Sequence, residues 1–388
     1  MDTFGILSKV KALPICAVII AMTFLISGTV MCGFLLLACL LVWPFSRHYY
    51  RQLSYYFIYP VWSQLVFLID WWAPSDVVLY MDEETEQLVG HEHAMVVMNH
   101  SYDIDFLVGW LVCERCALLA ATKVYAKRSL SFVPIIGWIW RMAEIIFLDR
   151  NWQKDRSCIV NQVAEISQYF NPVWILLFPE GTRFTPTKHK ESVEFAKMRG
   201  VTPLEHLLIP RTKGFVLSIQ AIKESGYKIR AIYDTTIAFD TGPGTNAPTF
   251  RNVLKGLPVK AQLHVTRIPM EEVPTEETAC EAWLHNLFAK KDRLLDEFQR
   301  NGTFRGRTVR FPRRVYTLIN EVFWTSLVLG TIFFYLVYRA SPLLTAVVVA
   351  VAGGVSFVLP HLLNVTVATK GSSYGKKSTA AATQPKDS

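Results

Sequence analysis

Hydrophobic residues occur along this chain as long uncharged runs near both ends and as short apolar runs in between. No Asp, Glu, Lys or Arg lies between Lys11 and Arg47, an interval longer than the roughly 20 residues that a membrane-spanning helix needs. Near the other end, residues 322–338 and 340–369 carry no charge apart from His361. This pattern predicts a membrane-embedded N-terminal segment and a C-terminal transmembrane hairpin.

Between the first run and the central region, residues 52–69 are also uncharged but are rich in aromatic residues, including Tyr55, Tyr56 and Trp62. Such aromatic residues are typical of the membrane–water interface. We expect this segment to lie at the membrane surface rather than to cross it. The first apolar run exceeds the core of about 7 to 15 residues of a signal peptide, which predicts that it is retained.

The central part of the chain alternates between short apolar runs and amphipathic stretches. Apolar runs bounded by polar residues predict strands, and apolar residues at three- and four-residue spacing predict helices. Their alternation indicates an α/β fold. The predicted strands are 94–98, 173–178, 206–210, 231–237 and 261–267, and the predicted helices are 153–170, 212–223 and 276–300.

Four regions follow from this pattern. Residues 1–75 form an N-terminal membrane and interfacial segment, and residues 76–310 form the α/β domain. Residues 311–369 form the transmembrane hairpin. Residues 370–388 are rich in Ser, Thr, Ala and Lys, which predicts a disordered tail.

Composition agrees with a membrane-associated protein that binds anions. Of the 388 residues, 51% are hydrophobic, and the formal net charge is +8. The stretch 300–314 contains six arginines and no acid, which the positive-inside rule places in the cytosol. We therefore expect lipid head groups and phosphorylated small molecules as partners rather than nucleic acid. A simpler alternative is that these basic residues only anchor the spans.

The run Asn99-His100-Ser101-Tyr102-Asp103-Ile104-Asp105 follows the predicted strand 94–98. Histidine can take up a proton near neutral pH when its ring is held in one orientation. Asp105, five residues later, is placed to reach back across a turn and hold the ring of His100. The pair resembles the base of a Ser-His-Asp triad in which an alcohol of the substrate replaces the serine.

A second run, Phe178-Pro179-Glu180-Gly181-Thr182-Arg183, follows another predicted strand. Pro179 and Gly181 predict a sharp turn, and Thr182 is a candidate N-cap for a following helix. Arg183 offers a planar fork that matches phosphate oxygens. Ligands bind at the carboxyl ends of strands in open α/β sheets, so the two runs together predict one site.

These runs have the form NHx4D and FPEGTR, and further blocks at 127–130, 147–150 and 208–214 follow in order. The chain thereby resembles the 1-acylglycerol-3-phosphate acyltransferases of the glycerolipid acyltransferase superfamily. The resemblance covers about residues 90 to 270 and implies a mixed sheet flanked by helices.

The resemblance also implies roles for particular residues. His100 would be the general base and Asp105 its orienting partner. Pro210 would shape the acyl-CoA side of the site. The residues implied in binding the glycerol phosphate are Glu180, Gly181, Thr182 and Arg183, with Arg150 and Lys127 as further phosphate candidates.

The implied reaction moves an acyl chain from acyl-CoA to the sn-2 hydroxyl of lysophosphatidic acid, giving phosphatidic acid and CoA. No metal or cofactor is expected, and acyl-CoA is a co-substrate. The implied location is the endoplasmic reticulum membrane, with several spans and a cytosolic catalytic domain. Protein partners cannot be inferred. Two alternatives stay open: another lysophospholipid acceptor, and a non-catalytic lipid-binding membrane protein.

Several other patterns suggest different chemistry but lack supporting context. Residues 371–375 fit the GxSxG motif of serine hydrolases, but no histidine follows them. Cys113 and Cys116 form a lone CxxC without a second pair. Residues 242–247 resemble a dinucleotide fingerprint interrupted by proline, which predicts a loop. His91 and His93 could suggest a metal site, although solvated histidines are the simpler interpretation.

Overall fold

A computed structural model of the protein describes residues 8–149, 152–226, 228–339 and 342–367. Arg150 and the tail predicted to be disordered, 370–388, lie outside the described residues. The α/β fold with a mixed sheet is confirmed.

The centre of the fold is an eight-stranded sheet in the order β4-β3-β5-β2-β6-β7-β1-β8. The strands are β1 (Asp76–Tyr80), β2 (Ala94–Met98), β3 (Thr122–Lys127), β4 (Ile146–Leu148), β5 (Trp174–Leu177), β6 (Ala231–Phe239), β7 (Lys260–Pro269) and β8 (Thr308–Val309). From β4 to β6 neighbouring strands are parallel, whereas β7 is antiparallel to β6. The carboxyl ends of β2, β5 and β3 therefore face one edge of the sheet.

Helices cover the sheet and extend from it. They are α1 (Pro14–Leu41), α2 (Arg47–Phe67), α3 (Glu83–Leu88), α4 (Asp105–Arg115), α5 (Ile136–Met142), α6 (Trp152–Ile166), α7 (Pro186–Arg199), α8 (Thr212–Glu224), α9 (Phe250–Leu254), α10 (Glu277–Asn301), α11 (Tyr316–Phe334) and α12 (Pro342–Val367). The amphipathic stretches predicted as helices correspond to α6, α8 and α10.

The predicted strand at 206–210 is wrong. Leu207, Leu208 and Ile209 are buried, but their backbone forms a loop. The amides of Leu208 and Ile209 donate to the side chains of Glu180 and Ser192 instead of to a neighbouring strand. Burial of an apolar run thus does not by itself indicate a strand.

From residue 14 onward, the N-terminal region has a continuous helix, α1, followed by α2, which packs between α1 and the α/β domain. Trp62 and Gln64 of α2 are buried, and Gln64 donates to Ser27 of α1 at 2.7 Å. The position of 52–69 at the membrane surface stays a prediction.

Among the described residues, two helical stretches are long and apolar enough to cross a membrane: Pro14–Leu41 and Tyr316–Tyr338. Residues 345–358 of α12 form a shorter apolar stretch. Length and composition thus give weak support for membrane association.

Candidate active site

His100 stands one residue beyond a junction between β2 and β6. Strand β2 ends at Met98, and the side-chain amide of Asn99 then continues the pairing with β6. Its Oδ1 accepts from the amide of Ile237 at 2.8 Å, and its Nδ2 donates to the Ile237 carbonyl at 3.0 Å. Asn99 is fully buried, and these two hydrogen bonds fix the backbone immediately before His100.

Asp105, the first residue of α4, holds the ring of His100. Its Oδ2 lies 2.8 Å from His100 Nδ1 and accepts from the amides of Ser101 and Tyr102 at 2.6 and 2.9 Å. The ring also stacks on Phe178, with centroids 4.3 Å apart. With Nδ1–H donated to Asp105, Nε2 carries the lone pair that can accept a proton.

The environment of Asp105 combines two opposing effects on its pKa. Burial raises the pKa of this carboxyl, while the bond to His100 and the two amides oppose the increase. These three donors favour the negative charge on the buried carboxylate. The charge can then stabilise an imidazolium form of His100 during proton transfer.

Glu180 joins the two sequence motifs through the backbone. Its Oε1 accepts from the amide of His100 at 2.7 Å, and its Oε2 accepts from the amide of Leu208 at 3.1 Å. The side chain is buried, which raises its pKa to about 8. Its two oxygens therefore hold loops in place, and its predicted contact with the glycerol phosphate stays a prediction.

Gly181 forms the turn that the sequence predicts. Its φ of +69° lies in the left-handed region that favours glycine, and its amide donates to the Phe178 carbonyl at 2.9 Å. A Cβ at this position would lie 3.1 Å from Cδ of Arg211. The arginine therefore packs directly over the turn.

Arg183 is half-buried beside Asp103. Burial raises the pKa of Asp103, and the positive charge of Arg183 opposes that increase. Thr182 accepts a hydrogen bond from Lys188. The predicted N-cap at Thr182 is wrong: Thr185 caps α7, accepting from the Lys188 amide at 3.3 Å, because Pro186 begins the helix after it.

The remaining predicted site residues lie farther from this group in the sheet. Lys127 ends β3, which is separated from β2 by β5, and its side chain is exposed. Pro210 is buried in the loop that precedes Arg211. The structure thus brings together His100, Asp105, Glu180 and Gly181, and it places Arg183 beside Asp103. Lys127 lies two strands away from β2.

Two matches to known families cover most of the α/β domain. The chain matches the Acyltransferase family over residues 80–225 and the Acyltransferase C-terminus family over residues 252–324. The mouse (Mus musculus) 1-acyl-sn-glycerol-3-phosphate acyltransferase gamma is 38% identical over 376 residues, 96% of this chain and 98% of the relative. The delta protein of Bos taurus is 38% identical over 378 residues, 97% of each chain.

The chain belongs to the 1-acyl-sn-glycerol-3-phosphate acyltransferase family. It is therefore an acyltransferase, and the resemblance read from its motifs is confirmed. The first matched segment contains both motifs and Arg211, while the second contains the whole of α10.

An apolar cavity lies against the sheet of this acyltransferase, close to the carboxyl end of β2. Met98, two residues before His100, forms part of its wall. Gly109 of α4 also lines it, and a Cβ there would meet only Met98 Cε, at 3.8 Å. Further lining residues are Trp62, Trp110, Val124 and Leu176. The volume of this cavity is about 60 Å³, which is room for a few water-sized groups rather than for a whole acyl chain.

Some contacts around His100 were not anticipated from sequence. Asn99 belongs to the first motif, but no role was predicted for it, since its partner Ile237 is remote in sequence. Asp103 and Arg211 were likewise given no role, although both lie within matching blocks. No role was predicted for Lys291 of α10, because lysines in an amphipathic helix are typical of its solvated face.

Several other patterns found in the sequence have identifiable surroundings in the described part of the chain. Burial raises the pKa of both Cys113 and Cys116, as expected for inert thiols. His93 accepts a hydrogen bond from the amide of Val173, the residue before β5. Residues 242–247 form a loop, as predicted. The GxSxG run at 371–375 lies outside the described residues.

Proposed function

We propose that this protein transfers an acyl chain from acyl-CoA to the sn-2 hydroxyl of 1-acylglycerol 3-phosphate, giving phosphatidic acid and CoA. The observation that carries the proposal is the His100–Asp105 pair, with Nδ1 held at 2.8 Å and Nε2 left to accept a proton. Curated relatives named for 1-acyl-sn-glycerol-3-phosphate support the choice of acceptor.

In the proposed reaction, His100 Nε2 takes the proton of the sn-2 hydroxyl as that oxygen attacks the thioester carbonyl of acyl-CoA. The carbon–sulfur bond breaks when the tetrahedral intermediate collapses. The departing thiolate then takes the proton from the imidazolium, which regenerates neutral His100. Asp105 stabilises the charged ring between these two steps.

Binding of the acceptor phosphate is supported by the charges around the Gly181 turn. Arg183 and Arg211 both lie at this turn, and a guanidinium can bind two phosphate oxygens at once. Lys127 and Arg150 are further candidates. The small apolar cavity beside Met98 supports contact with part of an acyl chain, and Pro210 is a further candidate on the acyl-CoA side.

We further propose that the protein resides in the endoplasmic reticulum membrane, with its α/β domain in the cytosol. Membrane association is supported by the apolar helices. The C-terminal hairpin would provide the membrane crossings, and the arginine-rich stretch before it favours the cytosolic side.

The test uses the full-length protein in lipid nanodiscs with acyl-CoA and a panel of lysophospholipids. We expect phosphatidic acid and free CoA to form in equal amounts when lysophosphatidic acid is the acceptor. His100→Ala should lower kcat by about 10³-fold or more, because the proton acceptor is lost. His91→Ala, in an exposed turn, is the control. Near-normal turnover by His100→Ala would refute the proposal, and faster reaction with another acceptor would reassign the substrate.

Arg183→Ala tests phosphate binding separately. We expect its KM for lysophosphatidic acid to rise about tenfold or more while its KM for acyl-CoA changes little, since one charge-assisted contact is lost. Arg199→Ala, at the exposed end of α7, is the matched control. An unchanged acceptor KM in Arg183→Ala would exclude this role.

A further inference from the structure

Lys291 is a fully buried lysine in α10, and it is remote in sequence from both motifs. Its Nζ donates to the carbonyls of Val97 at 3.1 Å and Thr235 at 2.7 Å. It also forms an ion pair with Asp234, at 2.5 Å. Burial of an ammonium group is unfavourable unless such partners surround it.

The position of these partners relates Lys291 to the site. Val97 is the penultimate residue of β2, and Thr235 of β6 lies opposite Met98 in the register. The ammonium therefore joins β2 and β6 at the last residues before His100. Asn99 makes the next contact along the same junction, with Ile237.

A second link runs through Glu180. The positive charge of Lys291 favours the ionised form of Glu180 and opposes the increase in its pKa that burial causes. Glu180 in turn accepts the hydrogen bond from the His100 amide. Lys291 thus contacts the end of β2 directly, while its effect on Glu180 is electrostatic only.

We propose that Lys291 is a positioning residue for the acyl transfer, holding the end of β2 against β6 so that His100 stands in its reactive orientation. This inference rests on the proposed function. It also gives the second matched segment, 252–324, a role in the site, because Lys291 lies within it.

The test compares Lys291→Met with Lys290→Met, whose side chain is the exposed neighbour in the same helix. We expect Lys291→Met to lower kcat at least tenfold while both KM values stay within about twofold, because small displacements of a catalytic group reduce turnover strongly. Lys290→Met should match the wild type. A normal kcat in Lys291→Met would overturn the proposal.

Loss of Lys291 also leaves Asp234 without its ion-pair partner, which could destabilise the fold. The double variant Lys291→Met with Asp234→Asn removes both charges. We expect its thermal midpoint to return towards that of the wild type while kcat stays at least tenfold low. Recovery of both quantities together would show that Lys291 only neutralises Asp234, and would overturn the proposal.

A readout without turnover separates this inference from the proposed function. The rate at which diethyl pyrocarbonate modifies His100, followed by mass spectrometry, should differ at least threefold between Lys291→Met and the wild type, and not in Lys290→Met. An unchanged rate in the folded double variant would reject the positioning role. If the wild type failed to transfer acyl chains, the proposed function would fail while this comparison still tested the positioning role.

Discussion

At Asp105 a single carboxylate oxygen serves three N–H groups, those of the His100 ring and of the Ser101 and Tyr102 backbone. An asparagine side chain at this position would have only one oxygen, and its amide nitrogen would add two N–H donors. We therefore expect Asp105→Asn to lower kcat by about 10³- to 10⁴-fold, since His100 loses the partner that fixes its tautomer. The kcat of Asp82→Asn should be unchanged, because Asp82 is the exposed N-cap of α3 next to β1, which is separated from β2 by β6 and β7. An Asp105→Asn enzyme within tenfold of the wild type would contradict this role.

Glu180 should make stability depend on pH. Burial raises its pKa from 4.5 to about 8, so between these values the folded protein binds a proton that the unfolded chain has released. The contribution of Glu180 to stability is therefore greatest at low pH and falls as the pH rises towards 8. Glu180→Gln removes this titration, but at every pH it also replaces one of the two acceptor oxygens with an NH2 group.

The measurement is the difference in thermal midpoint between Glu180→Gln and the wild type from pH 5 to pH 8.5. We expect the difference to move in favour of the glutamine variant by roughly a few degrees as the pH rises. A pH-independent difference would show that Glu180 keeps the same protonation state in the folded and unfolded protein.

The sequence is informative about single residues when their partners are close in the chain. The contact of Asp105 with His100 was predicted because five residues across a turn limit where the carboxylate can go. The contacts of Glu180 were not predicted. Its hydrogen bonds to His100 and Leu208 depend on β2 and β5 being neighbours and on the conformation of the loop 206–210. A carboxylate within a conspicuous motif was instead interpreted as a ligand contact.

At the scale of elements, the predicted strands are of more than one kind. Strands β2 and β5 are short apolar runs within the sheet, whereas β7 alternates between buried and half-buried residues over its first half. Strand β1 was missed although residues 77–80 are also an apolar run. Strand β3 was missed because Lys123 and Lys127 interrupt its apolar character, although Lys123 is buried and donates to the Ala143 carbonyl at 2.5 Å. The loop at 206–210 shows the reverse error, where buried apolar residues serve a loop that supports Glu180.

The turn at Gly181 can be tested against a second glycine with the same backbone conformation. Gly181 and Gly200 have φ of +69° and +66°, but a Cβ at Gly200 would meet nothing within 4 Å. We expect either alanine variant to lose about 1 kcal/mol of stability from backbone strain. Only Gly181→Ala should also lose activity, because its methyl group displaces Arg211.

Unfolding by denaturant and steady-state kinetics measure these two effects. Gly200→Ala is expected to keep the wild-type kcat and acceptor KM, while Gly181→Ala should raise the acceptor KM severalfold. Equal kinetics for the two variants would show that the packing of Arg211 over the turn has no bearing on the substrate.

For the whole molecule, the open question from sequence is how the N-terminal run meets the membrane. Its basic flanks, Lys9 and Lys11 against Arg47 and Arg51, did not decide an orientation. The structure adds contacts at both ends: Lys11 donates to the Trp72 carbonyl at 2.6 Å, and Arg47 pairs with Glu165 of α6 at 2.7 Å. Such contacts join elements remote in sequence and could not be inferred from hydropathy.

These contacts constrain α1. Its 28 residues span about 42 Å, at about 1.5 Å per residue. If α1 crossed the bilayer, a hydrocarbon layer of about 30 Å would separate its two flanks. Both flanks also reach the α/β domain, since Arg47 pairs with Glu165 and Lys11 lies against Gly256, where a Cβ would be 2.8 Å from Lys11 Cδ. We therefore expect the two flanks to lie on one side, with exposed residues such as Leu37 and Leu40 facing lipid in a single leaflet.

Single cysteines at Lys9 and His48, introduced after replacement of the seven native cysteines, report the two ends of α1. In sealed microsomes we expect a membrane-impermeant maleimide to label both positions to the same extent before detergent is added. Arg339→Cys, between α11 and α12, provides the contrast, because the predicted hairpin places it on the opposite side. Labelling of Lys9→Cys and His48→Cys from opposite sides would show that α1 crosses the membrane, which would require the contacts at one of its ends to break in the bilayer.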